Sequence, residues 1–273
     1  MRNASVAGQF YASSTAGLRK QVEDCFLHRL GPGKLPSVED KERDILGAVV
    51  PHAGYVYSGP EAAHAYYSIA GQKKPKTIVI LGPNHSGYGS AVAVSRETWK
   101  TPLGEVAVDS EVAEFLWKNC EIIDADEAAH RYEHSIEVQL PFLQYIYNDF
   151  KFVPICLGIQ DLNTSEEIAQ CLAKIRDAVI IASSDFTHYE PKEQAAAKDK
   201  KAIEHILNLD EKKFLQTVYD MDLSICGYGA IATCIAAVKK LGAKKAELLK
   251  YATSGDITGD ESSVVAYAAI VVR

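Results

Sequence analysis

The sequence predicts a single α/β domain over residues 1–273, with a mostly parallel or mixed central sheet flanked by helices. Two observations predict it. Short runs of β-branched apolar residues recur without polar alternation, the pattern of strands buried on both faces. Segments of helical length separate these runs, so strand and helix alternate along the chain. A third observation gives the fold a purpose: three of the strands end in the same polar punctuation.

The strands are expected at 45–50, 77–81, 91–94, 152–157, 178–182 and 264–272. Helices are expected at 14–28, 61–70, 111–119, 135–147, 192–207, 211–220 and 228–241, with another opening at Ser165. Pro60 suits a first helical position and Gly71 a C-terminal cap. Ser110 and Ser165 are capping candidates, and Glu166 and Glu167 then complement the helix dipole. Pro141 predicts a kink or restart within 135–147. The stretch 31–42, rich in Pro, Gly and charge, reads as a surface loop.

The 273 residues are 47% hydrophobic and 24% charged, which excludes disordered and fibrous classes. Net charge is -7, and the lysines form short clusters rather than a stripe, so no nucleic-acid partner is expected. No apolar run reaches membrane-spanning length, and residues 1–6 lack the core of a signal peptide, so the reading is cytoplasmic with no membrane partner. Six cysteines without compact spacing are expected to be reduced thiols.

The strand ends carry the chemistry. The run 45–50 leads into Pro51-His52-Ala53-Gly54-Tyr55, 77–81 into Gly82-Pro83-Asn84-His85, and 178–182 into Ser183-Ser184-Asp185-Phe186-Thr187-His188. Carboxyl ends of neighbouring parallel strands open onto one crevice, so His52, His85, His188 and Asp185 are expected to converge. Two imidazoles and one anionic ligand would leave open positions on a metal. Asp185 would complete a facial triad of the Fe(II) type, whereas Cys226 would complete a softer His2Cys site. Cys226 precedes a predicted helix, whose N-terminus favours thiolate. His134 and Glu137, three apart on one helical face, are candidates to orient a ligand imidazole or transfer a proton, or else to serve as a helix cap and an exposed acid. Tyr55, Tyr57 and Tyr88 follow the histidine motifs and are candidates to line a pocket for an aromatic or polar ligand. The segment 254–260 reads as a rim loop closing the crevice.

Taken together these motifs, with Ala7-Gly8-Gln9-Phe10-Tyr11, Glu133-His134-Ser135-Ile136-Glu137, Ile225-Cys226-Gly227 and the segment 260–264, resemble the Memo family over essentially the whole chain. The resemblance implies a fold similar to class III extradiol dioxygenases, with His52, His85 and Cys226 as metal ligands and His188 as acid/base beside Asp185. It implies Fe(II) as the metal, with copper or zinc as other choices, and a small-molecule or peptide ligand. AMMECR1-like and radical SAM proteins are the partners it implies. The functional expectation is a metal-binding, redox-active protein; a ligand-binding module and a zinc-dependent hydrolase are the other readings of the same crevice.

Overall fold

A computed structural model describes residues 1–273. The strands are β1 (Gly47–Val50), β2 (Thr77–Pro83), β3 (Val92–Val94), β4 (Trp99–Thr101), β5 (Gly104–Val108), β6 (Asp124–Ala125), β7 (Lys151–Leu157), β8 (Ala178–Ser183), β9 (His188–Glu190), β10 (Ala246–Thr253) and β11 (Val264–Val272). The helices are α1 (Thr15–Leu27), α2 (Tyr55–Ala70), α3 (Ser110–Asn119), α4 (Leu140–Ile146), α5 (Leu162–Leu172), α6 (Lys192–Leu207), α7 (Glu211–Asp220), α8 (Tyr228–Lys240) and α9 (Gly255–Thr258).

One mixed sheet runs in the order β10-β11-β1-β8-β2-β7-β3-β6. Its centre, β1-β8-β2-β7, is parallel, and β11 and β3 flank it antiparallel. Every residue of β1, β2 and β8 is buried, as their unbroken apolar sequence requires of strands covered on both faces. All six expected strands form. The hairpin β4–β5, the short strands β6 and β9, and β10 are additional to these: β4, β6 and β9 are only two or three residues long, and in β5 and β10 the charged Glu105, Glu247 and Lys250 interrupt the apolar run. No helix is long and apolar enough to cross a membrane.

Several boundaries differ from expectation. α2 begins at Tyr55, so Pro60 lies inside it rather than at its first turn. The caps of α3 and α5 are Asp109 and Asp161, whose carboxylates accept the N–H of Val112 and Thr164; Ser110 and Ser165 lie inside the helices. The segment expected as one helix at 135–147 is a 3-10 turn (Glu137–Gln139) followed by α4, which restarts with Pro141 in its first turn. The largest correction concerns the thiols. Cys120 and Cys171 form a disulfide between the C-terminus of α3 and α5, while Cys25, Cys156, Cys226 and Cys234 are free. Close spacing in sequence cannot reveal a bridge whose ends are 51 residues apart and meet only through folding.

Candidate metal centre

β8 lies between β1 and β2, so the loops leaving their carboxyl ends share one edge of the sheet. His52 follows β1 by two residues, His85 follows β2 by two, and Asp185 follows β8 by two. His134 arrives from the segment before the 3-10 turn. One ligand atom each from His52, His85 and His134 lies within 4.8 Å of the others.

The orientation of these rings is fixed from behind. His52 Nδ1 is 2.9 Å from Ser183 Oγ. That hydroxyl donates to the carbonyl of Ser135 at 2.6 Å and accepts from Gln139 Nε2 at 2.8 Å. With its proton committed, Ser183 Oγ accepts at His52, so His52 carries its proton on Nδ1 and presents an Nε2 lone pair. His85 Nδ1 is 2.9 Å from Glu133 Oε1, and His134 Nδ1 is 3.4 Å from the same oxygen. Glu133 also accepts the backbone N–H groups of His85, His134 and Ser135. A carboxylate behind the imidazole, fixing its tautomer and aim, is the usual support of a metal-ligating histidine.

The charge states agree with this geometry. Burial, with the neighbouring His134 and His85, pushes His52 well below the ordinary imidazole range, and burial brings His134 down to about 4. Both are therefore neutral near pH 7, the form that binds a metal. Burial opposes charge on Glu133, but the hydrogen bond from His85 and the nearby imidazoles hold it below the usual carboxylate range. Asp185 is pushed up to about 6 by burial, against the N–H of His52, which donates to it at 2.8 Å.

Cys226 Sγ stands 3.1 Å from His52 Nε2 and accepts the Asp185 N–H at 3.2 Å. Gly227 beside it has no room for a side chain, since a Cβ would lie 2.5 Å from the Ser183 carbonyl oxygen. The expectation that the start of α8 favours thiolate is reversed in the free protein: burial, then the Asp185 carboxylate, raises the Cys226 thiol. Desolvation outweighs the dipole here, and a bound cation would restore the balance toward thiolate.

His188 opens β9. Its Nδ1 is 2.7 Å from the Ser224 carbonyl oxygen, and its backbone N–H donates to Ser224 Oγ at 2.8 Å. A carbonyl only accepts, so Nδ1 carries the proton and Nε2 is a proton acceptor. His188 and Asp185 share with the three histidines a crevice of about 600 Å³. The rim segment contributes Ser254, Thr258 and Asp260, as expected of a closing loop.

Of the tyrosines singled out in sequence, Tyr57 lines the crevice and two do not. Tyr55 is buried and its hydroxyl donates to the Val138 carbonyl; Tyr88 lies outside, 61% exposed, against Tyr132. Glu137 is placed differently from expectation too. It is fully buried and accepts from Arg2, Ser5, Val6 and Tyr11, so it anchors the N-terminal segment and faces no ligand. That segment delivers Phe10, whose ring lies 4.6 Å from that of His134. Glu133, Ser183, Phe10, Tyr189 and Tyr267 are site residues that sequence reading passed over. Glu133 had a signal, an acid directly before a histidine, and Ser183 and Tyr189 begin and follow the quoted strand-end motif 183–188; Phe10 and Tyr267 meet the histidines only in three dimensions.

The sequence profile described as "Memo-like protein" matches residues 2–271. The chain belongs to the Memo family. A MEMO1 family protein of Methanopyrus kandleri is 52% identical over 100% of this chain and 99% of its own length. Those of Methanocaldococcus jannaschii and Sulfolobus acidocaldarius are 49% and 50% identical, over 100% and 99% of this chain and 99% and 98% of their own lengths. Among solved structures, an uncharacterized protein from Escherichia coli K12 superposes with a TM-score of 0.58 over 83% of this chain and 99% of its own. At 14% identity that likeness concerns the fold alone. For this Memo-family chain, the three-histidine group is a possible metal site.

Proposed function

We propose that this Memo-family protein binds a redox-active divalent metal, Fe(II) first and copper second, and uses it on a small organic ligand held in the crevice. The ion would sit on His52, His85 and His134, with the Cys226 sulfur as the adjoining soft donor. One observation carries the reading: three imidazoles converge, with Nδ1 of His52 on Ser183, Nδ1 of His85 on Glu133 and Nδ1 of His134 3.4 Å from the same carboxylate. A bound ion of this kind would supply Lewis acidity and a route for electrons. His188, with its free Nε2, would take or return a proton at the ligand, and Asp185 would hold the His52 backbone in place. Phe10 and Tyr267 would keep water from the inner wall.

Elemental analysis of protein purified without oxygen or chelator tests this. About one equivalent of iron or copper is expected, falling at least tenfold in His52→Ala and in His134→Ala. Cys226→Ser should retain metal but change its absorption spectrum. Zinc in place of a redox metal would favour the hydrolase reading, because three histidines and an open position also suit zinc. Full metal content in both histidine variants would overturn the proposal.

A further inference from the structure

The parallel strands have a second set of ends. Where they begin, β2 pairs Thr77 with Ala178 of β8 and Ile78 with Phe152 of β7. The segments leading into β2, β7 and β8 therefore share the edge of the sheet opposite the crevice. They bring together Lys73, Lys74, Lys76, Lys151, Lys174 and Arg176, all exposed and drawn from clusters far apart in the chain. Backbone bonds hold these segments to one another: the Lys76 N–H donates to the Asp177 carbonyl at 3.0 Å, and the Lys73 N–H to the Lys41 carbonyl at 2.8 Å. None of the six cations has a carboxylate within 4.0 Å, because the Asp177 carboxylate is taken by Arg43, and Asp44 and Glu247 by Arg273. On a chain of net charge -7 such a face attracts an anionic partner against the sign of the molecule as a whole.

The same edge holds a hollow of about 270 Å³, lined by Lys76, Lys174 and Arg176 and by the apolar Val112, Phe115 and Ile175. Its walls are fixed before anything binds. Thr77 Oγ1 donates to Asp109 Oδ2 at 2.6 Å, and the other oxygen of Asp109 accepts the Val112 N–H at the start of α3. One acid, Glu111, also lines the hollow. Three cations around apolar surface fit an apolar side chain flanked by carboxylates. A bare phosphate would leave the apolar surface unused, and the evenly charged backbone of a nucleic acid would run against Glu111 and the exposed Asp149 as well. A polypeptide places its carboxylates one by one and can offer a backbone N–H to Glu111.

From this we infer that the edge where the parallel strands begin is a docking surface for an acidic segment of a partner protein. Lys76, Lys174 and Arg176 pair with its carboxylates, and one apolar side chain enters the hollow beside them. The histidines lie at the opposite edge, so docking leaves the crevice open whatever the crevice holds.

The test is fluorescence anisotropy with a labelled peptide whose central Leu is flanked on both sides by Glu and Asp. Wild type should bind it, and Lys76→Glu/Arg176→Glu should bind it at least about tenfold more weakly, with most of the affinity lost on raising salt to about 0.5 M. Lys174→Ala, which adds no new charge, should weaken binding about threefold. Lys200→Glu/Lys201→Glu makes the same change in net charge on exposed lysines of α6 and should stay within about twofold. Exchanging the peptide's Leu for Gly should cost about fivefold, the scale of partial burial of one apolar side chain. Equal losses in the two double variants would show attraction by net charge alone and overturn the proposal. So would equal affinity for the Gly peptide, absence of binding to wild type at about 1 mM peptide, or tighter binding of a single-stranded oligonucleotide or of phosphatidylserine vesicles through the same lysines.

Discussion

Glu133 holds two of the three imidazoles at once. Its Oε1 faces Nδ1 of His85 and of His134, and its two oxygens together accept three backbone N–H groups. Replacing it by Gln would put an amide N–H where only an acceptor fits, turning one or both rings. Glu133→Gln should therefore weaken metal binding by roughly tenfold to a hundredfold, the usual scale for such outer partners. Competition with a chelator of known affinity would measure it, on a variant shown by circular dichroism to be folded. Unchanged affinity would mean that the rings are held by packing alone.

At the scale of the element, α2 carries an acid that its surroundings do not satisfy. Glu61 is fully buried and neither carboxylate oxygen has a hydrogen-bond partner in the protein. Burial, above all, pushes it up from 4.5 to about 7. The folded chain then holds this proton more tightly than the unfolded chain does. Between about pH 4.5 and pH 7 the native state binds more protons, so this group's contribution to stability falls as pH rises and is fully lost above pH 7. Glu61→Gln removes that titration. Its stability relative to wild type should rise from pH 4.5 to pH 8, by at most about 3 kcal/mol. Urea unfolding at the two pH values checks this, and a gap independent of pH would show that Glu61 is charged in the fold. The same helix shows where local rules stop. Pro60 suggests a helix start because its missing N–H is harmless there. In the fold α2 starts at Tyr55, whose N–H donates to the Phe10 carbonyl and whose hydroxyl reaches the Val138 carbonyl, bonds that no local pattern contains.

At the scale of the molecule, a single apolar core spans the sheet and both helical layers. The disulfide between Cys120 and Cys171 ties the neighbouring helices α3 and α5 together, closing a segment with a sequence separation of 51. A loop of that length corresponds to a stabilisation of about 4 kcal/mol in the chain-entropy account. Thiol titration of the denatured, unreduced protein should find four free cysteines, and the Cys120→Ser/Cys171→Ser double variant should unfold at clearly lower denaturant. Six titratable thiols would sink this prediction.

The sequence by itself determined the α/β class, the six main strands and the polar strand ends, because buried parallel strands leave continuous apolar runs and their termini must be punctuated. It also placed His52, His85, Asp185 and His188 around one crevice, because parallel topology carries such strand ends to one edge of the sheet, and singled out His134 and Cys226 as candidates without placing them there. Tertiary structure alone decided the rest. It turned His134 in beside the two strand-end histidines, withdrew Glu137 into an anchor for Arg2, and left Tyr88 outside. It also delivered Phe10 and Tyr267 from segments far from the histidine motifs. Side-chain direction and the competition between burial and charge depend on neighbours distant in the chain. For that reason they follow from packing and have no period in the sequence.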